Sequence, residues 1–393
     1  MGQITMNLYI DHLRRRYRKA GKVEKGLILD EFCKASDYHR KSATRLLNHA
    51  PQHEKYNDKG GRPPKYDHKE LKEPLKHIWF ATDQLCGKLL KESLPLWLDF
   101  YEFHYGSLSD DIKEQLLEIS PATIDRLLKK EKAQIGKGKS GTKPGSLLKN
   151  QIPIKTNQWD EQQVGFVEAD TVAHCGESLR GDFVWSLTLT DILTGWTENR
   201  AVWNKGAVGV LEQIKDIEEH LPFNLKGFDC DNGSEFLNYH LLRYFADRQA
   251  SSSVQFTRSR PYKKNDNAHV EQKNWTRVRQ VFGYCRFDNP NLIPLMNDIY
   301  ANELNLLSNF FIPSVKLLDK RRVKSRIIKK FDKPKTPYQR LIESGCLTDE
   351  QVKALELKRK QLDPFELNSN IQAKLKKIFR LVNQKSRQKR KAI

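Results

Sequence analysis

Apolar residues recur at helical spacing through the first 50 positions of this 393-residue chain. In VEKGLILDEFCKAS, Leu27, Ile28, Glu31 and Phe32 keep the period of a helix, with the apolar members on one face. After a break at Ser36-Asp37-Tyr38, HRKSATRLLNHA predicts a second helix with Ala43, Leu46 and Leu47 inward. His39, Arg40, Lys41, Thr44 and Arg45 then lie outward. Such a pair reads as a helix-turn-helix or as a helical hairpin with a solvated basic face. Residues 67–132 also read as helical, and EISPATIDRLLKKEK is the clearest helix there. Ser120 suits its N-cap and Pro121 its first helical position. Ile124, Leu127 and Leu128 face inward. Thr123, Arg126, Lys129 and Lys130 face outward, as on a second recognition helix or on a capped structural one.

The period changes after GKGKSGTKPGS, residues 136–146, a flexible basic linker that cannot pack a core. VGFVEADTV (164–172), FVWSLTLTDI (183–192) and GWTENRAVW (195–203) are rich in Val, Thr, Phe and Trp and read as strands. A helix over 204–221, a strand over 225–231, a helix over 238–250, a strand over 254–259 and a helix over 269–284 follow. Three antiparallel strands and then alternating helix and strand predict an α/β core, a mixed five-stranded sheet flanked by helices. Beyond 291 the chain reads as helical, then as irregular and basic over 316–335, and ends in the helix IQAKLKKIFRLV and a basic tail. These readings divide the chain into an N-terminal helical domain (1–56), a Gly/Pro linker (57–66), a second helical domain (67–135), a linker (136–158), the α/β domain (159–310) and a basic region (311–393). The first linker carries Arg62 and Lys65 in GRPPK, which resembles the core of minor-groove AT-hook segments and equally suits a plain linker.

Charge narrows the choice of partner. Lys plus Arg number 69 against 49 Asp plus Glu, a net charge of +20, which points to a polyanion. The six cysteines form no C-x-x-C pair, and no His pair stands at zinc-finger spacing, so a disulfide framework and a zinc site are not expected. No apolar run reaches the eighteen or so residues of a membrane span, and the N-terminus lacks a signal peptide's apolar core. A cytoplasmic protein is expected.

Against this basic background, three acids stand out by position. Asp170 falls at the end of the first strand in FVEADT, Asp231 at the end of the fourth in FDCDNGSEF, and Glu271 in the first turn of a long helix in NDNAHVEQKNW. They are separated by 61 and 40 residues. If the first and fourth strands are neighbours, their ends bring the aspartates together, and a helix across that edge adds the glutamate. Converging carboxylates repel and raise one another's pKa. A divalent cation removes the conflict, and hard oxygen ligands select Mg2+ or Mn2+. Two such ions about 4 Å apart suit in-line displacement at phosphorus. Each acid alone also has a structural reading, as a turn former, a strand end or a helix N-terminal charge. Strand alternation does not separate Asp231 from Asp229, or Asp170 from Glu168; turn position favours Asp231. His174 and Cys175 read as a hydrogen-bonded strand-end pair, and Trp275, Trp185, Trp196 and Trp203 as core.

The phrases EADT, DNGSEF and NDNAHVEQKNW, within residues 164–290, resemble the catalytic domain of retroviral-type integrases and of the DDE transposases of bacterial insertion sequences. The resemblance implies an RNase H-like fold with Asp170, Asp231 and Glu271 as a triad binding two Mg2+ or Mn2+ ions. It implies a DNA transposase that frees 3′-hydroxyls at element ends and joins them to target DNA. The implied partners are double-stranded DNA, both terminal inverted repeats and target, and further copies of the chain, at least a dimer on DNA, with location at the bacterial nucleoid. Donors around Glu271, namely Arg258, Lys263, Lys264, Lys273, Asn274, Arg277 and Arg279, are candidates for DNA contact. The spacing before Glu271 is a few residues longer than the retroviral pattern, and the retroviral zinc module has no counterpart. An RNase H-like nuclease without strand transfer, and a non-catalytic DNA-binding regulator, are the alternatives.

Overall fold

The computed structural model describes residues 3–48, 66, 69–134, 163–230, 233–248, 253–258, 268–323 and 326–391. Chain contacts divide it into two compact units, Met1–Lys65 and Tyr66–Ile393. Among the described residues no helix is long and apolar enough to cross a membrane.

The first unit contains α1 (Gln3–Lys19), α2 (Lys22–Ser36) and α3 (Arg40–Asn48). Leu13, Tyr17, Ile28, Leu29, Phe32, Ala43 and Leu47 form its core. Leu27 is exposed, because the buried stripe of α2 runs through Ile28, Leu29 and Phe32. α2 stops at Asp37, which takes the left-handed conformation (φ 55°) that Asp tolerates better than most residues. The buried Arg14 guanidinium ties α1 to α3 by donating to the Leu46 carbonyl at 3.0 and 3.2 Å.

The second unit opens with α4 (Lys69–Ala81), α5 (Gly87–Tyr105), α6 (Asp110–Glu118), α7 (Pro121–Leu127) and α8 (Lys129–Gln134). Ser109 and Ser120 cap α6 and α7 through side-chain bonds to the Ile112 and Thr123 amides. Where sequence periodicity suggests a separate domain over 67–135, these helices share one apolar core with residues far along the chain. Trp97 of α5 is fully buried, donates from Nε1 to the Phe311 carbonyl (3.1 Å), and meets Phe365 edge-on.

The sheet comprises β1 (Phe166–Ala173), β2 (Val184–Asp191), β3 (Thr197–Trp203), β4 (Gly227–Cys230) and β5 (Gln255–Arg258), in the order β3-β2-β1-β4-β5. β1, β2 and β3 pair antiparallel, whereas β4 is parallel to both β1 and β5. One face is apolar. Val167, Ala169, Leu187, Leu189 and Phe228 pack there with α9 (Ala207–His220) and α10 (Tyr239–Ala246). The other face meets α11 (Ala268–Lys273), which continues through π-helical turns (Asn274–Arg279) into Gln280–Phe282. It also meets α12 (Leu292–Ile299), likewise continued by π-helical turns (Tyr300–Leu304) and Asn305–Phe311.

The segment 316–335 differs from its irregular expectation: β6 (Leu317–Val323) and β7 (Arg326–Phe331) form an antiparallel ribbon. Its apolar residues come as adjacent pairs, Leu317-Leu318 and Ile327-Ile328, among charges, so no period of two shows. Three helices close the unit: α13 (Pro337–Glu343) and α14 (Asp349–Lys360), each with a Thr/Gln capping box, and α15 (Pro364–Lys391).

Candidate active site at the β1–β4 edge

Across the α11 face of the sheet, one level of the ladder is wholly polar. Thr197, Thr190, Glu168, Asp229 and Thr257 are neighbours in register on five adjacent strands. Glu168 and Asp229 are almost fully buried. Glu168 accepts the Val270 amide of α11 on Oε2 (3.0 Å), and Asp229 accepts the Thr257 hydroxyl (2.7 Å). These two acids are built into the sheet–helix junction.

One level further, Asp170 is only half-buried. Its Oδ1 accepts the Thr171 amide (2.7 Å), and its Oδ2 accepts Nδ2 of Asn274 (2.6 Å). Two donors therefore orient the carboxylate. On β1, Asp170 is thus the half-buried acid, and Glu168 the buried one that accepts from α11.

Asp231 lies outside the described residues, as do the side chain of Glu271 and residues Lys263 and Lys264; Arg62 and Lys65 do too. What flanks the two acids is clear. Cys230 pairs with Ala169, and Glu235 accepts the Thr171 hydroxyl (3.0 Å), so the chain is tied to both neighbours of Asp170 on either side of Asp231. Glu235 is buried and also accepts from Lys205 (3.0 Å). Asn238 then caps α10. The backbone at Glu271 is helical, between Val270 and Asn274, whose hydrogen bonds go to Glu168 and Asp170.

The seam of α11 on the sheet runs Val270–Asn274–Val278–Phe282, at four-residue steps, and all four are buried. Trp275, expected in the core, is 51 % exposed, since it lies about 100° round the helix from Asn274. Trp196 is buried as expected, and Trp185 and Trp203 are half-buried. Lys273 and Arg277 are buried rather than presented to solvent. Burial pushes the Lys273 ammonium well down, with Arg277 and Arg340 adding repulsion. It also pushes Arg277 down to about 9, against a smaller pull from Glu198. Arg279 is half-buried with its guanidinium over the Tyr284 ring (4.8 Å), and Arg258 is exposed at the end of β5. His39 is exposed just before α3, and Arg40, Lys41 and Arg45 are exposed on it, as are Arg126, Lys129 and Lys130 on α7 and α8; Thr44 and Thr123 are half-buried.

His174 does not pair with Cys175. Its Nε2 shares a hydrogen bond with Ser186 (2.7 Å), Ser186 continues to the Tyr300 hydroxyl (2.7 Å), and the ring stacks on Phe287 at 4.9 Å. Burial, with a smaller push from Arg279, lowers its pKa to about 3, so the ring is neutral.

The donor chemistry suits a hard cation: Asp170 is an oriented, half-buried carboxylate, and the acids that sequence adds to it bear oxygen ligands only. Among the described residues no group of three or more His, Cys, Asp or Glu stands together to hold a metal ion.

No family model matches the chain. The catalytic core domain of BIV integrase aligns with a TM-score of 0.29 and 14 % identity, covering 46 % of this chain and 95 % of that one. The uncharacterized protein y4rM of Sinorhizobium fredii (strain NBRC 101917 / NGR234) is 35 % identical over 350 residues, 87 % of this chain and 95 % of the relative. At that identity and coverage, the chain belongs to the same family as y4rM.

Proposed function

We propose that the protein is a metal-dependent DNA transposase of the integrase type, with Asp170, Asp231 and Glu271 as its catalytic acids. One observation carries the reading: the chain either side of Asp231 and the helix turn bearing Glu271 are anchored to β1 between Glu168 and Thr171, around Asp170. A mixed sheet of three antiparallel strands followed by two parallel ones supports an RNase H-like core.

In this reading the three carboxylates would hold two Mg2+ or Mn2+ ions, which would supply an activated nucleophile and stabilise the leaving oxygen. Asn274 fixes the rotamer of Asp170, and Glu168 docks the helix that carries Glu271. Arg258, in register with Cys230 on β5, stands where it can contact a DNA phosphate. The exposed basic faces of α3 and of α7–α8 read the element ends, as helix-turn-helix units would, and the basic ribbon β6–β7 contacts DNA or target. Water and then a 3′-hydroxyl are the nucleophiles, so no covalent protein–DNA intermediate forms. Joining two ends requires at least two protomers.

The test uses the DNA flanking the gene as the donor end and a plasmid as target, with Mg2+. Joined product that disappears with Asp170→Asn, Asp231→Asn and Glu271→Gln supports the proposal. Nicking without joining identifies a nuclease instead, and DNA binding without cleavage identifies a regulator.

A further inference from the structure

Beside the α11 helix lies a cavity of about 740 Å³ lined by the end of α4 and start of α5, by the helix over 272–281, by residues 304–315 and by α15. Its volume is that of a site for a small organic molecule. Much of its wall is apolar, with Phe80, Leu89, Leu307, Ile371 and Phe379 contributing. Two cations also line it. Lys273 is 9 % and Arg277 6 % exposed, and among the described residues neither makes a hydrogen bond or an ion pair. Lys376 and Arg380 of α15 add two more positive charges to the wall, and Asp83 is its one acid. Asp83 is exposed and makes no ion pair among the described residues.

Buried cations are ordinarily paired, because desolvating an unpaired charge is costly. Two such side chains stand on one cavity wall, one helical turn apart, with Glu198 offsetting part of the Arg277 charge, and they present N–H donors to an anion from outside. A phosphate monoester carries negative charge at neutral pH, and its oxygens suit the planar fork of Arg277 together with the amine of Lys273. The apolar wall suits an uncharged organic body on the same molecule.

We propose that this cavity is a binding site for an organic phosphate monoester, its phosphate held by Lys273 and Arg277 and its body lodged against Leu307 and Phe379. The site is separate from the acids at the β1–β4 edge and does not depend on the reading of those acids. A 5′-terminal phosphate on a DNA strand and a free small metabolite share this chemistry.

The experiment is calorimetric titration of the full chain with phenyl phosphate. One site per chain is expected. Inorganic phosphate binds at least tenfold more weakly for want of the body, and phenol does not bind for want of charge. Lys273→Met and Arg277→Met each weaken phenyl phosphate at least tenfold. Leu307→Phe, which fills the cavity without touching the charges, weakens it as well. Lys353→Ala, on the exposed surface of α14, leaves it unchanged. Competition by a 5′-phosphorylated oligonucleotide, but not by its unphosphorylated form, assigns the source to a DNA end; no competition assigns it to a free monoester. Absence of phenyl phosphate binding, or binding equal in the parent and in a folded Lys273→Met/Arg277→Met double variant, overturns the proposal.

Discussion

Asn274→Ala isolates the coupling between α11 and the acid of β1. The substitution removes a single donor, Nδ2, which lies 2.6 Å from Asp170 Oδ2. Hydrogen bonds to a charged group contribute about 1.5–3 kcal/mol. Asp170 is half-buried, and water can partly replace the lost donor, so the lower end applies, ~1.5 kcal/mol. If that energy serves to hold the carboxylate for reaction, the cleavage rate falls about tenfold. The assay is single-turnover cleavage of an end-containing duplex at saturating protein, with DNA affinity measured separately in Ca2+. The expected pattern is a slower chemical step with affinity within about twofold of the parent. Asn274→Gln, which keeps the amide one methylene further out, is expected to recover part of the rate. A rate equal to the parent's in Asn274→Ala, where Asp170→Asn is inactive, would refute a positioning role for Asn274.

Two further outcomes concern stability. His174 is neutral and buried with a pKa of about 3, against an ordinary value of 6.5. A histidine depressed in the fold contributes stability that is complete above the unfolded pKa and is lost as pH falls below it, at up to about 1.4 kcal/mol per pH unit for one group. Denaturant unfolding at pH 7 and pH 5 should therefore show a loss that His174→Gln reduces; an identical loss in the variant would count against it. Trp97→Ala removes a buried indole and its bond to the Phe311 carbonyl, at an expected cost of about 3–5 kcal/mol. Because α4–α8 share one core with α12 and α15, calorimetry should show a single transition for residues 66–393 shifting as a whole; a separate transition for 66–134 would contradict the shared core.

The core sheet was largely legible because its strands keep to Val-, Thr- and aromatic-rich runs between short turns, and the expected strands fall on β1 to β5 within a few residues. Asp170, expected at the end of the first strand, lies within it: β1 runs on to Ala173, and Asp170 pairs with Thr188, because the Thr-Val-Ala run after it continues the ladder. Local pattern does not encode long-range partners. Trp97 looks like any helix-core residue, and only the fold shows that it bonds to Phe311, 214 positions away. Lys273 and Arg277 read as surface donors because cations usually are, yet both are buried, on the wall of a cavity built by segments distant in sequence. Strand alternation could not choose between Glu168 and Asp170, since both point to the same face. The helix packed on that face treats them differently: its backbone amide at Val270 donates to the buried Glu168, and its Asn274 side chain donates to the half-buried Asp170. The ribbon β6–β7 escaped notice because its basic residues mask any alternation.

The central claim is that Asp170, Asp231 and Glu271 hold divalent metal together. Crystals of the full chain grown with Mn2+ and measured at the manganese absorption edge test it directly. The account predicts anomalous peaks about 2.1 Å from carboxylate oxygens of these three residues, lost in Asp231→Asn. Peaks elsewhere, or a fully ordered site in which Asp231 or Glu271 turns away from Asp170, would contradict it.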